Sequence, residues 1–212
     1  MLIKYSGENK FIFIANTKSA STSIVNSNIA EIAEIKVTDV HIGRHMSIDK
    51  VYETFNFIFQ KQNFEFNKFF KFGIIRDPLD WVISWYNYRS GLPNHKLARK
   101  KDMTFAEFFH SVPHLAKPQS NVFISTKSKE IRVDYLVRYD RLTEDLSRIK
   151  KILGLDTLSI PKLNKSFVKN IHLHDIEESL QEEIKERYYC DYELLENLES
   201  FNARGLQLFQ GD

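Results

Sequence analysis

Two short segments of this chain combine residue types that bind anions. The first covers residues 18–23, reads Lys-Ser-Ala-Ser-Thr-Ser, and directly follows the apolar run at residues 11–15. The second is Arg76-Asp77-Pro78, which directly follows the apolar run at residues 72–75. In each case a predicted strand ends, a polar turn follows, and a predicted helix begins. Two such sites in one chain indicate a ligand that carries a phosphate group at each end.

The first segment offers three kinds of contact to a phosphate. A helix start leaves backbone N–H groups unpaired and carries the positive end of the helix dipole. Lys18 supplies a mobile full charge, Ala20 is small enough for the backbone to close around the anion, and hydroxyl donors come from Ser19, Ser21, Thr22 and Ser23. The same pattern also fits a helix cap beside a solvated lysine, so the segment alone leaves both interpretations open.

The first segment is not a Walker A loop, which reads G-x-x-x-x-G-K-[ST]. Thr17 precedes the lysine, and no glycine occurs between Gly7 and Gly43. Without those glycines we expect the backbone to wrap a triphosphate poorly. The sequence also lacks a convincing acidic residue at a strand end that would hold Mg²⁺. A small-molecule kinase of the P-loop type is therefore the weaker interpretation.

The second segment offers a guanidinium. Arg76 can present a bidentate fork to a phosphate, and Ser84, which lies further along the same predicted helix, adds a hydroxyl. Asp77 fits the N-cap of that helix better than a catalytic role, because Pro78 suits the first helical position. Three aromatic residues on the helix fit either packing or stacking on an adenine ring: Trp81, Trp85 and Tyr86.

Together the two segments resemble the PAPS-dependent sulfotransferases, where PAPS is 3'-phosphoadenosine 5'-phosphosulfate, and in particular their carbohydrate-type group. The family's 5'-phosphosulfate loop reads like K-[TS]-[AG]-[GS]-T-S, which residues 18–23 match. Its 3'-phosphate motif reads like R-[DN]-P-x-x-R-x-x-S-x-Y, matched from Arg76 to Tyr86 except at the second arginine, where this chain has Trp81. The resemblance implies that one 3'-phosphate contact is missing or comes from elsewhere, for example from Arg89.

Weaker motifs extend the resemblance over about residues 10–196. They follow in the family's order. The stretch from His114 to Ile124, with Pro118-Gln119-Ser120, is similar to the family's "H-x-x-P-Q-S", and it is followed by a strand and helix ending in L-G-L at 133–155, "P-x-x-N-x-S" at 161–166 and "Y-x-x-D-Y-E-L" at 188–194. The resemblance implies transfer of a sulfuryl group from PAPS, as co-substrate, to an acceptor hydroxyl by in-line displacement. A carbohydrate acceptor is implied first, with phenols, lipids and a peptide tyrosine left open. A non-catalytic nucleotide-binding module is a further alternative.

The resemblance also implies roles for particular residues. Lys18 would neutralise the leaving phosphate, and Arg76 and Ser84 would hold the 3'-phosphate. The 5'-phosphate would be held by Lys18, Ser19, Ala20, Ser21, Thr22 and Ser23. We expect no metal, because the leaving nucleotide is already held by cations. This mode of catalysis resembles phosphoryl transfer, which depends on positioning and charge stabilisation.

An acceptor hydroxyl needs a general base, and histidine suits neutral pH best. The resemblance points to the segment 41–47, where a "G-x-H-x-(S/T)" pattern precedes a predicted helix. We predict His45 as the base and His41 as the second choice; a capping or core histidine is the structural alternative. An HxxxH zinc pair fits the spacing, but the sequence offers it no third ligand.

Composition narrows the class of protein. The chain has 212 residues, enough for one domain (residues 1–212, core about 10–196) with a sizeable core. Its net charge of +2 argues against general nucleic-acid binding, and its single cysteine excludes an intrachain disulfide framework. The sequence shows neither a signal peptide nor an apolar run of roughly 20 residues, so we expect a cytoplasmic protein without a membrane span.

The elements that must position these residues alternate between strand and helix. Strands are predicted at residues 11–15, 35–41, 69–75 and 133–137. Helices are predicted at 22–34, at 47–60 with Ser47 as N-cap, from Pro78, from Phe105, at 142–153 and from about Asp175 to Tyr192. Thr104 with Glu107, and Asp175 with Glu178, are predicted to form capping boxes. This order predicts an α/β fold: a three-layer α/β/α sandwich with a mainly parallel central sheet, like that of P-loop NTPases. We expect a disordered tail from about residue 200.

Overall fold

A five-stranded sheet forms the centre of the molecule in the computed structural model, which describes residues 1–39, 41, 43–91, 103–163 and 171–209. The strands lie in the order β3-β1-β2-β4-β5 and comprise β1 Leu2–Lys4, β2 Phe11–Ile14, β3 Ile35–Lys36, β4 Phe70–Ile75 and β5 Tyr135–Arg138. The β2–β4 and β4–β5 pairs are parallel, whereas β1 is antiparallel to both of its neighbours. Four strands therefore run in one direction, which confirms the prediction of an α/β fold with a mainly parallel sheet.

The first strand, β1, was not predicted. It has only three residues, which is too short to show the period-two alternation that marks a strand in a sequence. Its side chains Leu2 and Ile3 are nevertheless fully buried, and it separates β2 from β3. The predicted strand at 35–41 contracts to Ile35 and Lys36, because only these two residues pair with β1.

The two helices predicted in the first half of the chain are each divided in two. The helix expected at 22–34 is α1 Ser21–Val25 followed by α2 Asn28–Glu31. At the break Ser27 is extended, and its hydroxyl donates to the Ile24 carbonyl at 2.6 Å, so a side chain takes an acceptor at the end of α1. The helix expected at 47–60 is α3 Ile48–Thr54 and α4 Asn56–Phe59, with Ser47 as the predicted N-cap.

The second half of the chain is mostly helical. Its helices are α5 Pro78–Ser90, α6 Phe105–Ser111, α7 Leu142–Ile149, α8 Glu178–Arg187, α9 Tyr189–Glu196 and α10 Leu198–Gln207. The predicted caps Asp77 and Thr104 are confirmed, since their side chains accept the N–H groups of Asp80 and Glu107. The capping box at Asp175 is wrong, because that carboxylate instead accepts the backbone N–H of His172 within a 3₁₀ turn.

Helices cover both faces of the sheet, so the predicted three-layer arrangement is confirmed. Alternate strand residues point to opposite faces. Phe11, Phe13 and Phe72 pack with α1, α2 and α7, whereas Ile12 and Ile14 pack with α3, α4 and α9. Helices α5, α6 and α8 enclose a third apolar cluster beside the sheet. No helix within the described ranges is long and apolar enough to cross a membrane.

The helix α10 protects the outer edge of the sheet at β5. The side-chain amide of Asn202 donates to the Leu136 carbonyl and accepts the Leu136 N–H, both at 2.9 Å, as a neighbouring strand would. Gly205 lies so close to the Asp134 carbonyl that any side chain there would clash with it. The prediction of a disordered tail from about residue 200 is therefore wrong as far as residue 209.

Candidate functional site

The two predicted anion segments lie side by side. Strands β2 and β4 are parallel neighbours, with Ile14 opposite Gly73, so the turns that follow them leave the same edge of the sheet. A cleft of about 1660 Å³ opens at this edge. Its walls contain residues 17–23, Arg44 and His45, part of α5, residues 139–144 after β5, and the segments 160–163 and 171–173. Ligand sites of α/β proteins typically lie at this carboxyl edge.

The first loop takes a conformation that usually requires glycine. Lys18 and Ala20 have φ angles of 55° and 53°, in the left-handed region. Left-handed residues alternating with ordinary ones turn successive backbone N–H groups to one side, which creates an anion-binding concavity. Each such residue costs on the order of 1 kcal/mol, and such strain clusters at functional sites. From the absence of glycine we expected this loop to curve poorly. The left-handed conformation of Lys18 and Ala20 lets it curve nonetheless.

The helix that follows this loop contributes less than predicted. Since α1 has only five residues, its dipole is small, and the charge of the site depends on Lys18 and on the loop N–H groups. Ser19 already donates its hydroxyl proton to the Thr17 carbonyl. Ser23 accepts the Leu163 N–H and Thr22 accepts from Arg44, so these two hydroxyls still have a proton to donate to an anion. All residues of the segment 18–23 nevertheless line the cleft.

The ammonium group of Lys18 lies against aromatic rings rather than against an acid. Its Nζ is 3.9 Å from the centroid of Tyr88 and 5.9 Å from that of Trp85, both on α5. Burial and, to a smaller extent, the positive charge of Arg76 together lower the pKa of Lys18 to about 8. A bound anion would remove this repulsion, so the lysine is prepared to meet negative charge.

Arg76 connects the two loops. Its Nη1 donates to the Lys18 carbonyl at 3.0 Å, its Nε donates to Asp80 at 2.6 Å, and its guanidinium lies 4.1 Å from the centre of the Tyr139 ring. The side chain is only 13% exposed. Two of the N–H groups predicted to bind a phosphate therefore already bind within the protein, and a ligand can bind the remaining N–H groups of the guanidinium. Ser84 lines the same cleft.

The remaining residues of the second motif divide between packing and site. Trp81 is buried, and its indole N–H donates to the Thr17 carbonyl at 2.9 Å. It therefore fixes the first loop from the position where the family motif has its second arginine. Tyr86 packs on Phe105 and Phe108 and is structural. Arg89, the suggested substitute cation, lies over the rings of Trp85 and Phe108 and does not line the cleft.

The two candidate bases separate clearly. His45 lines the cleft, and its Nδ1 lies 2.8 Å from the Ala15 carbonyl. Because a carbonyl oxygen only accepts, Nδ1 carries the proton and Nε2 is left as an acceptor. Burial lowers the pKa of His45, which favours the neutral imidazole. His41 is exposed and is not part of the cleft wall.

The sequence patterns did not single out three residues that lie in the cleft wall or directly behind it. Arg44 lines the cleft and donates from Nη2 to Thr22 at 2.7 Å; its place beside the candidate base was the available signal. Asn16 and Gln119 bind each other at the ends of the strands, with 3.2 Å between the Asn16 Nδ2 and the Gln119 Oε1. The signals for these two residues were the position of Asn16 directly after a buried strand and the place of Gln119 in the P-Q-S motif. Neither signal indicated a role.

The arrangement defines an α/β protein with a cleft whose wall carries a cation from each of the two strand-end loops, Lys18 and Arg76. A model described as the sulfotransferase family matches residues 2–197, which is most of the chain. The chain therefore belongs to the sulfotransferase family, and the family prediction is confirmed. Comparisons with curated proteins and with solved structures find no match. Membership supports sulfuryl-transferase activity in general.

Proposed function

We propose that this protein transfers the sulfuryl group of PAPS to an acceptor hydroxyl, with a carbohydrate as the acceptor class that the family resemblance favours. The observation that carries the proposal is the direct contact between the two anion loops, in which Arg76 donates to the Lys18 carbonyl. This contact brings a cation from each strand end into one cleft. A nucleotide with a 3'-phosphate and a 5'-phosphosulfate carries anions at both corresponding ends.

The residues of the cleft fit such a nucleotide. Lys18, with the N–H groups of its left-handed loop, would hold the 5'-phosphosulfate, and Thr22 would contribute its hydroxyl. Arg76 would hold the 3'-phosphate with the N–H groups that Asp80 and Lys18 leave unused, and Ser84 would assist it. Tyr88 and Trp85 present aromatic surface beside Lys18, where an adenine ring could stack.

In-line transfer assigns a task to each group. The acceptor oxygen forms a bond to sulfur while the bond from sulfur to the bridging phosphate oxygen breaks. Lys18 meets the negative charge that develops on the leaving oxygen, an effect whose removal costs about 10²–10³-fold in rate for a single donor. Nε2 of His45 accepts the proton of the acceptor hydroxyl, since its Nδ1–H is held by Ala15.

The direct test is mass spectrometry of a panel of acceptors incubated with the protein and PAPS. We expect at least one hydroxyl-bearing acceptor to gain a single sulfuryl group, with stoichiometric release of adenosine 3',5'-bisphosphate. The Lys18→Ala variant serves as the matched negative control. Release of the bisphosphate without any modified acceptor would instead indicate hydrolysis, and no release with tight binding would indicate a non-catalytic module.

A thermal shift experiment separates this function from that of a kinase. The protein is heated with adenosine 3',5'-bisphosphate or with ATP and Mg²⁺, since a ligand that binds the folded state raises the melting temperature. We expect a clear shift with the bisphosphate. A large shift with ATP and Mg²⁺ together with none for the bisphosphate would favour a small-molecule kinase and contradict the proposal.

A further inference from the structure

One side-chain amide joins the ends of the two strands from which the anion loops begin. The Oε1 of Gln119 accepts the backbone N–H of Arg76 at 3.1 Å and the Nδ2–H of Asn16 at 3.2 Å. Its Nε2 donates to the Arg76 carbonyl. Asn16 also donates to the Ile74 carbonyl at 3.3 Å. The end of β2 and the end of β4 are thus cross-linked outside the regular sheet.

Gln119 is itself held by a buried carboxylate. Asp191, on α9, is fully buried, and its two oxygens accept the backbone N–H groups of Gln119 at 2.9 Å and Ser120 at 3.0 Å. Within the described ranges, no lysine or arginine forms an ion pair with it. Burying a carboxylate without a cation is costly unless its hydrogen bonds are well placed. Here those bonds fix the start of the turn that carries Gln119.

Neither side chain belongs to the cleft wall, so neither is placed to touch the nucleotide. We infer that Gln119 is a positioning residue that sets the separation of the two anion loops, and that Asp191 holds it in place. This inference rests on the proposed function and deepens it. A nucleotide with phosphates at both ends needs both loops at once, whereas a monophosphate needs only one. The preference for the first kind of nucleotide therefore depends on the hydrogen bonds of Gln119 outside the cleft.

The chain offers a matched control for a purely structural role. Asn202 pairs its amide with both backbone groups of Leu136, as Gln119 does with those of Arg76, and it is also buried. It lies at the outer edge of β5 and not between the anion loops. Replacing either amide by an apolar side chain of similar length removes the same kind of hydrogen bonds from the backbone, at Arg76 just after β4 or at Leu136 within β5.

The test measures a ratio rather than activity alone. Calorimetry of the full chain gives the dissociation constants for adenosine 3',5'-bisphosphate and for adenosine 5'-monophosphate in the wild type, Gln119→Met, Asp191→Asn and Asn202→Leu. We expect Gln119→Met to lower the preference for the bisphosphate about tenfold, with monophosphate affinity nearly unchanged. Asp191→Asn should also lower the preference for the bisphosphate, but by a smaller factor. Asn202→Leu should lower the melting temperature and leave the preference at the wild-type value.

Each other outcome overturns the inference. Wild-type preference in both Gln119→Met and Asp191→Asn would show that the cross-link is only structural, and an equal loss in Asn202→Leu would attribute the effect to general destabilisation. If Gln119→Met does not fold, the ratio of the two dissociation constants in Asp191→Asn tests the inference in its place. A wild-type protein without any preference for the bisphosphate would refute the proposed function itself, and this result is distinguishable from the others.

Discussion

The Nη1 of Arg76 donates a hydrogen bond to the carbonyl oxygen of Lys18 at 3.0 Å. This bond joins the two strand-end loops, and it involves a residue whose own backbone is left-handed. Since each loop supports the other, the two halves of the site are not independent. The charge of Arg76 also lowers the pKa of Lys18, so the effects of substituting both residues together are expected to be non-additive.

Replacement of Lys18 by alanine is expected to lower turnover by about 10²–10³-fold, because the leaving oxygen loses its cation. The fold should remain intact, since the ammonium contacts aromatic rings at the cleft and no acid in the described part of the chain. The measurement is kcat with PAPS, alongside the melting temperature. Lys127→Ala, an exposed lysine in a turn away from the cleft, is the control. Near-wild-type turnover in Lys18→Ala would remove this residue from the mechanism.

The pH dependence of kcat/KM should show an alkaline limb near pH 8. Lys18 must be protonated to meet the phosphate charge, and its pKa in the free protein is lowered to about 8 by burial and by Arg76. Activity is therefore full below this value and lost above it, because kcat/KM reports groups of the free enzyme. Lys18→Arg should move the limb upwards, since arginine stays charged. An unchanged limb in that variant would assign it to another group.

Replacement of His45 by alanine should lower turnover by about 10²–10⁴-fold, the usual range for a general base. Affinity for adenosine 3',5'-bisphosphate should be unchanged, since the base contacts the acceptor and not the nucleotide. Because the pKa of His45 is lowered from the ordinary histidine value of 6.5, the fall in rate on the acid side of the pH profile should lie below pH 6.5. This fall should be absent in His45→Ala. His41→Ala is the matched control. Loss of activity in His41→Ala with an intact His45→Ala would transfer the role to His41.

Arg76→Ala should weaken binding of the 3'-phosphate by on the order of 2–4 kcal/mol, since a charge-assisted contact is lost. Calorimetry with nucleotides that carry or lack the 3'-phosphate checks this, because the wild type should discriminate between them and the variant hardly at all. Arg76→Lys keeps the charge without the planar fork and should recover only part of the preference. Equal discrimination in wild type and Arg76→Ala would make the residue purely structural.

Trp81→Phe should lower stability by about 1–2 kcal/mol, because the Thr17 carbonyl loses its buried indole donor. The effect should extend to nucleotide affinity, since Thr17 directly precedes the left-handed Lys18. Chemical denaturation and calorimetry measure the two effects separately. Unchanged stability and affinity would show that the indole N–H does not fix the loop, and that the tryptophan acts by packing alone.

The positions of both anion loops were predictable because strong local signals coincide there. Residues 11–14 and 72–75 are buried apolar runs, and Asp77 with Pro78 marks a helix start. The spacing of the family motifs then predicted which residues share one cleft. Lys18, Arg76, Ser84 and His45 all line it, whereas His41 does not. Their individual roles stay predictions.

Features that depend on tertiary contacts were not predictable. The break at Ser27 depends on its hydroxyl bonding a helix carbonyl, and the imperfect helical spacing of apolar residues at 22–34 does not show where a break would fall. The ordering of α10 depends on Asn202 and Gly205 fitting the edge of β5, which is far away in the sequence. The cross-link through Gln119 joins residues from three separate segments. Residues 92–102, and residues 164–166 of the motif at 161–166, lie outside the described residues.

Calorimetric titration of the protein with three nucleotides tests the central claim, that the two loops bind the two phosphates of one nucleotide. The ligands are adenosine 3',5'-bisphosphate, adenosine 5'-monophosphate, and ATP with Mg²⁺. We predict that the bisphosphate binds about 100-fold more tightly than the monophosphate, which corresponds to the second charge-assisted contact at Arg76. Equal affinity for the bisphosphate and the monophosphate, or tighter binding of ATP with Mg²⁺, would contradict this claim.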